Sequence, residues 1–193
     1  MSPITKESLK NSMSYPENVF ESGERKLIPA VLVYLFREKQ VLMIHRNSQI
    51  SGKVDHHEGK WNGLGGKCEK DESPLEAACR EVEEESGFVF DSKNPNSTLK
   101  SLGVLQFPNF KPQKNEDWLV FVFSGIIPQS ENFKYNETQN EGDLHWVSID
   151  QVLNLNLWPG DHFFIPYVLQ GKPFMGTLWY QNQQVVRTWI EEL

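Results

Sequence analysis

At 193 residues and 38% hydrophobic content, the chain is long enough for one domain with a substantial core. A net charge of -7 argues against the positive footprint that duplex nucleic acid or a polybasic membrane attachment requires. Two cysteines, Cys68 and Cys79, provide neither a disulfide framework nor zinc spacing, and the longest apolar run, Leu27 to Phe36, is too short to cross a bilayer and contains Pro29. The expectation is a soluble protein of a reducing, cytoplasmic compartment.

Residues 1–26 are mostly polar and broken by Pro3, Pro16 and Gly23, which reads as an arm or short helix ahead of a domain spanning residues 27–193. Leu27 to Phe36 and Val41 to His45 are rich in β-branched and aromatic residues and predict a hairpin with a largely buried first strand. Asn47 to Lys60 is polar and turn-prone, of a length that suits a lip beside a site. His56 and His57 within it are neighbours that an extended backbone points opposite ways, so solvent exposure is expected of them. The stretch Trp61-Asn62-Gly63-Leu64-Gly65-Gly66-Lys67 follows, where glycines permit close backbone approach to phosphates and Lys67 adds a cation.

Ser73, Pro74 and Glu76 predict a helix start, with Ser73 as cap, Pro74 at the first helical position and Glu76 closing a capping box; Gly87 is a natural stop. At about 100° per residue, Leu75, Ala78, Cys79 and Val82 form an apolar stripe, and Glu81, Glu84 and Glu85 gather on its flank. Like charges at i,i+4 repel by roughly 0.2–0.5 kcal/mol, so this face calls for a cation. Oxygen donors suit a hard divalent ion that keeps waters for substrate phosphates. The structural alternative is a solvated acidic face.

Beyond the helix, Asn94-Pro95-Asn96-Ser97 reads as a loop, and Leu99 to Phe107 and Trp118 to Ser124 as strands joined by a Pro108 to Asp117 connection. Leu144 to Val147 predicts a short strand, Ser148 the cap of a helix through Leu153, and Pro159 to Leu169 a further helix with Gly171 past its end. Phe174 to Tyr180 and Val185 to Ile190 predict a closing hairpin. This order gives a mixed α/β domain rather than a regular parallel fold.

The spacing from Gly66 through Glu72 to Arg80-Glu81-Val82, Glu84-Glu85, Gly87 and Phe88 resembles the full Nudix box of the Nudix hydrolases at every defined position. The resemblance implies the Nudix fold, a mixed β-sheet sandwiched between α-helices. It also implies hydrolysis of a nucleoside diphosphate linked to another group, by water that Mg²⁺ activates, with Mn²⁺ as a possible substitute. It assigns metal binding to Glu81, Glu84, Glu85 and the outlying Glu141, with Gly66 as a further ligand position, and pairs Arg80 with Glu72 to hold the loop on the helix. Glu137 competes with Glu141, and the general base is left among Glu84, Glu85 and Glu141.

Three further stretches are similar to the MutT-type enzymes that sanitise oxidised purine nucleoside triphosphates such as 8-oxo-dGTP: Gly59 to Lys67, Glu141 to Trp146, and Trp158-Pro159-Gly160-Asp161 running on to Lys172. The resemblance places Asn62 on the base edge and Trp158 against its face, with a core or lid aromatic as the alternative for Trp158; His45 and Phe107 are expected to line the same pocket, with buried framework contacts as their alternative, and Lys67 is a further substrate-contact candidate by its charge. Asp161 retains the capacity to accept from a purine edge, with helix capping as its alternative, whereas Gly160 stands where the animal enzymes carry a second acid. The expected product pair is a nucleoside monophosphate and pyrophosphate, and the partner a small nucleotide, with no duplex nucleic acid or membrane, on a monomer or homodimer. The alternatives are a Nudix hydrolase of another nucleotide, such as a nucleoside diphosphate sugar, and a non-catalytic nucleotide-binding Nudix domain.

Overall fold

The first strand, β1 (Lys26–Arg37), sends Val31, Val33 and Leu35 to one face and Leu32, Tyr34 and Phe36 to the other. β2 (Gln40–His45) repeats the alternation with Leu42 and Ile44 against Val41 and Met43. Strands that are apolar on both faces need cover on both. Helix α1 (Pro74–Ser86) closes the first face with Ala77, Ala78 and Val82, and helix α2 (Asp161–Gln170) closes the second with Phe164, Ile165 and Val168. The computed structural model describes residues 20, 23–46, 59–90, 99–127, 138–139 and 142–193.

The remaining strands are β3 (Trp61–Asn62), β4 (Lys100–Lys111), β5 (Glu116–Ile126), β6 (Thr138–Gln139), β7 (Gly142–Ser148), β8 (Phe174–Gln181) and β9 (Gln184–Glu192). Their order is β6-β7-β2-β1-β5-β4-β8-β9, with β3 paired to β2. The β1/β5 and β4/β8 pairs are parallel and the others antiparallel. This is the expected mixed sheet between helices.

Several boundaries differ from the sequence expectation, each for a local reason. β1 pairs with β2 only from Leu35 to Arg37 and runs along β5 from Lys26 to Phe36, a long-range pairing that local pattern does not encode. β4 and β5 continue through most of the expected Pro108 to Asp117 connection, leaving a turn at Pro112–Lys114. Pro108 is accommodated because the register shifts between Phe107 and Lys111, where a bulge asks no ladder N–H of it. Ser148 caps no α-helix: its carbonyl accepts from Gln151 N–H and only a 3-10 turn, Val152–Asn154, follows. α2 starts at Asp161, two residues beyond Pro159, and stops at Gly171 with φ of 64°. The last hairpin turns at Asn182 and Gln183, both left-handed, as a two-residue connection between twisted strands requires. Residues 1–19, 47–58 with His56 and His57, 91–98, Glu137 and Glu141 lie outside the described residues.

The start of α1 forms as its sequence dictates. Ser73 Oγ accepts from Glu76 N–H, and Glu76 Oε2 accepts from Ser73 N–H at 2.8 Å, the two halves of a capping box. Ser73→Ala removes one half and is expected to lower unfolding free energy by about 1 kcal/mol, read as a shifted denaturation midpoint with an unchanged slope.

Candidate active site

The loop between β3 and α1 is pinned to β1. Leu64 and Gly66 carbonyls accept from Val33 and Val31 N–H groups at 2.7 and 2.8 Å, and Cys68 N–H donates to Pro29. Gly65 has φ of 141°, and a Cβ there would overlap the Val31 carbonyl, so only glycine lets the loop lie this close to β1. A Cβ on Gly66 would overlap Glu81 Oε1 and stand 2.7 Å from its Cδ. The glycine pair is therefore the surface against which the carboxylates of α1 rest.

Arg80 joins loop and helix. Its Nε donates to Glu72 Oε1 at 2.7 Å, Nη2 to Glu72 Oε2 at 3.1 Å and to the Lys67 carbonyl at 3.0 Å, and Nη1 to Glu81 at 2.8 Å and Glu84 at 3.1 Å. The pairing of Arg80 with Glu72 is the one expected from the sequence. Hydrogen bonds from Arg80 hold the Glu72 carboxyl below its ordinary pKa, and those to Glu72 and Glu81 raise the guanidinium above its own. The three helix glutamates are not equivalent: Glu84 is 59% exposed, Glu81 is 14% exposed and Glu85 is buried, its Oε2 accepting from Gly65 N–H at 2.7 Å. The expected carboxylate flank thus has one member turned inward onto the glycine loop. With these side-chain positions, no three of His, Cys, Asp and Glu among the described residues stand close enough to surround a metal ion. The Gly66 carbonyl, expected as a ligand position, is engaged by Val31 N–H.

Beside this loop lies a cavity of about 1340 Å³ that Gly65, Gly66, Lys67 and Glu81 share with Asn62, Phe107, Trp158 and Asp161. Of the sequence candidates for chemistry, Gly66, Arg80 and Glu81 line this space together with the base-contact candidates, whereas Glu72, Glu84 and Glu85 do not. Asn62 Oδ1 accepts from Gly63 N–H, leaving its amide N–H groups to donate elsewhere. Trp158 is held from behind by Lys60, whose Nζ lies 5.3 Å from the ring centroid and donates to Asn156 Oδ1 and the Leu157 carbonyl. Lys67 has its Nζ 5.4 Å from the Trp118 ring, and Phe107 packs on Phe110 and Tyr180. His45, expected in this pocket, does not line it: it pairs with Trp61 across the β2/β3 ladder and stacks on that ring at 4.6 Å.

Asp161 is the first residue of α2 and does not act as its cap, which is Gly160 without a side-chain bond. Its carboxyl is buried and Oδ2 has no hydrogen-bond partner among the described residues. Burial pushes its pKa up to about 7, against the lowering effects of a hydrogen bond from the Trp158 backbone and the charge of Lys60. The cavity also has walls that the sequence reading did not single out: Tyr180 on β8, and Phe110, Lys111 and Trp118 around the β4/β5 turn. A period-2 pattern marks such residues as strand faces, but the parallel β4/β8 pairing that brings Tyr180 to Phe107 has no local signature.

A glycine loop thus lies over an acidic helix, is joined to it by one arginine and opens onto an aromatic pocket in a mixed α/β sandwich. The NUDIX domain family model matches residues 26–168, and the chain belongs to the Nudix hydrolases. It is 31% identical over 128 residues to the oxidized purine nucleoside triphosphate hydrolase of Mus musculus, covering 66% of this chain and 74% of that protein, and matches the protein of that name in Danio rerio to the same extent. The crystal structure of a MutT protein from Bacillus halodurans superposes with a TM-score of 0.69 at 23% identity, covering 85% of this chain and 97% of that one. Nudix hydrolases generally require a divalent metal and act on small nucleotides. No helix among the described residues is long and apolar enough to cross a membrane.

Because the Asp161 pKa in the folded state stands above the unfolded value of about 3.9, the folded form holds its proton longer. Its contribution to stability is full below about pH 4 and is lost as pH rises through about 7. Asp161→Asn lacks this slope, so the variant is expected to gain stability relative to wild type between pH 5 and 8 in paired denaturation curves.

Proposed function

We propose that this Nudix hydrolase converts purine nucleoside triphosphates, including oxidised ones such as 8-oxo-dGTP, to the monophosphate and pyrophosphate, with Mg²⁺ as its ion and Mn²⁺ as a substitute. The observation that carries the reading is the shared cavity, in which the Gly65–Lys67 loop and Glu81 meet Trp158, Asn62 and Asp161. The named activity of the mouse and zebrafish relatives supports the same substrate class.

Glu81, Glu84 and Glu85, with Gly66 and Glu141, are the residues that would hold the metal. They fit it in kind: Glu81, Glu84 and Glu85 offer hard oxygen donors from successive turns of one helix, and a cation, Arg80 Nη1, already bridges Glu81 and Glu84. When bound, Mg²⁺ lowers the pKa of water and neutralises charge on phosphate oxygens. The chain supplies the rest. Gly65 N–H orients Glu85, and the proton acceptor is drawn from Glu84, Glu85 and Glu141. Lys67 meets phosphate charge beside the loop. Trp158 stacks on the base, an interaction worth about 1–3 kcal/mol, while the Asn62 amide donates to its edge and Asp161 accepts from it.

The test is a hydrolysis panel of 8-oxo-dGTP, dGTP, other triphosphates, nucleotide sugars and dinucleoside polyphosphates, with Mg²⁺ and with chelator. The reading requires chelator-sensitive release of pyrophosphate and monophosphate from purine triphosphates. Preferential release of sugar phosphate from nucleotide sugars overturns it. Glu84→Gln, at an exposed position whose ion pair with Arg80 is worth only about 0.3–0.5 kcal/mol, is expected to fold normally. Turnover should fall beyond the roughly 10–100-fold loss typical of a metal's outer-shell partners.

A further inference from the structure

Residue 160 has no room for a side chain. A Cβ built there would overlap the Tyr180 hydroxyl oxygen and stand 3.0 Å from both Tyr180 Cζ and Leu178 Cδ2. The backbone at Gly160, with φ of -71° and ψ of -27°, is open to any residue, so it is Tyr180 and not chain conformation that demands glycine. Tyr180 reaches this place from β8, its ring packed on Phe107 at 6.2 Å and edge-on to Phe110 at 5.7 Å. Its hydroxyl accepts from Gly160 N–H at 2.8 Å, its one hydrogen bond among the described residues. That bond uses a lone pair and leaves the hydroxyl proton available to donate. Tyr180 and Asp161 line the same cavity as Trp158 and Asn62, and the buried Asp161 Oδ2 has no partner among the described residues.

We propose that Tyr180 is a specificity-determining residue whose hydroxyl, anchored on Gly160, donates to the base edge beside the group read by Asp161 and selects 6-oxopurine over 6-aminopurine nucleotides. The proposal rests on the reading of this cavity as a purine nucleotide site. A 6-oxopurine presents an acceptor, O6, next to a donor, N1–H; adenine presents a donor, the 6-amino group, next to an acceptor, N1. A hydroxyl proton beside an accepting Asp161 oxygen matches the first order, whereas in the second the proton has no acceptor at position 6. Burial and the nearby Asp161 both raise the Tyr180 pKa, so the hydroxyl keeps its proton throughout the neutral range.

The test compares wild type with Tyr180→Phe in two measurements: calorimetric binding of dGMP and dAMP, and kcat/KM for dGTP and dATP. Wild type is expected to prefer the guanine nucleotides, and Y180F to lose about tenfold of that preference, the scale of one neutral hydrogen bond, with adenine binding within twofold of wild type. Equal weakening of both bases, as a purely structural role would give, overturns the proposal, as does an unchanged ratio or the absence of measurable dGMP binding by wild type. Gly160→Ala forces Tyr180 aside, so G160A is expected to lose the preference too, and the double variant G160A/Y180F to regain stability without regaining it. G160A that keeps full preference also overturns the assignment. Failure of the triphosphatase reading is seen separately, as no pyrophosphate from any purine triphosphate, while the monophosphate binding ratio still decides the role of Tyr180.

Discussion

The arrangement of this site depends on one guanidinium. All five N–H donors of Arg80 find acceptors: two on Glu72, one each on Glu81 and Glu84, and the Lys67 carbonyl. Without it, α1 would carry Glu81, Glu84 and Glu85 beside Glu72 in a partly desolvated setting, where like charges repel more strongly than on an open helix. The planar fork matters as much as the charge. A lysine ammonium offers three donors from a point and could not span Glu72, the loop carbonyl and the helix acids together. Arg80 therefore sets the distance between the glycine loop and α1, and Glu85, reaching back to Gly65 N–H, fixes it a second time.

That junction works only because the loop can press against β1. Val31 and Val33 give their N–H groups to Gly66 and Leu64, so the loop borrows the ladder positions of a strand edge while its glycines keep side chains out of the contact. The parallel β1/β5 pairing occupies the other edge of β1 and keeps it in register. The chemistry-bearing loop is thereby tied to the sheet centre, and the fold transmits its rigidity directly to the carboxylates.

The part of this legible in the sequence was the local part. Ser73, Pro74, Glu76 and Gly87 mark the ends of α1 by capping chemistry that needs nothing beyond neighbouring residues, and the alternation in β1 and β2 follows from a period of two. The Glu72 to Arg80 pair was legible through the Nudix box. What escaped was set by pairing between distant segments. The bulge that lets Pro108 stay within β4, the stacking that takes His45 out of the pocket and onto Trp61, and the β4/β8 contact that brings Tyr180 to Phe107 each depend on a partner strand far away in the chain. Pattern names the face of a strand; it does not name the neighbour.

The same division separates reaction from selection. The glycine loop and α1 come from one continuous stretch of chain, and their carboxylates and backbone groups are indifferent to the base. The other walls of the cavity come from β3, β4, β8 and the start of α2, and there the buried Asp161 carboxyl is incompletely matched. Asp161 Oδ2 and the hydroxyl of fully buried Tyr34 both lack partners among the described residues, and Asp161 raises the Tyr34 pKa along with burial itself. Each such group costs roughly 1–3 kcal/mol if left unsatisfied, a cost that an apolar wall would avoid. At Asp161, which lines the cavity, the proposed function gives that cost a use: a base that supplies the missing partner would recover it, and one that presents the wrong group would leave it standing. On the proposed reading, selectivity is held as unsatisfied polarity at the start of α2, on a different element from the acids of α1.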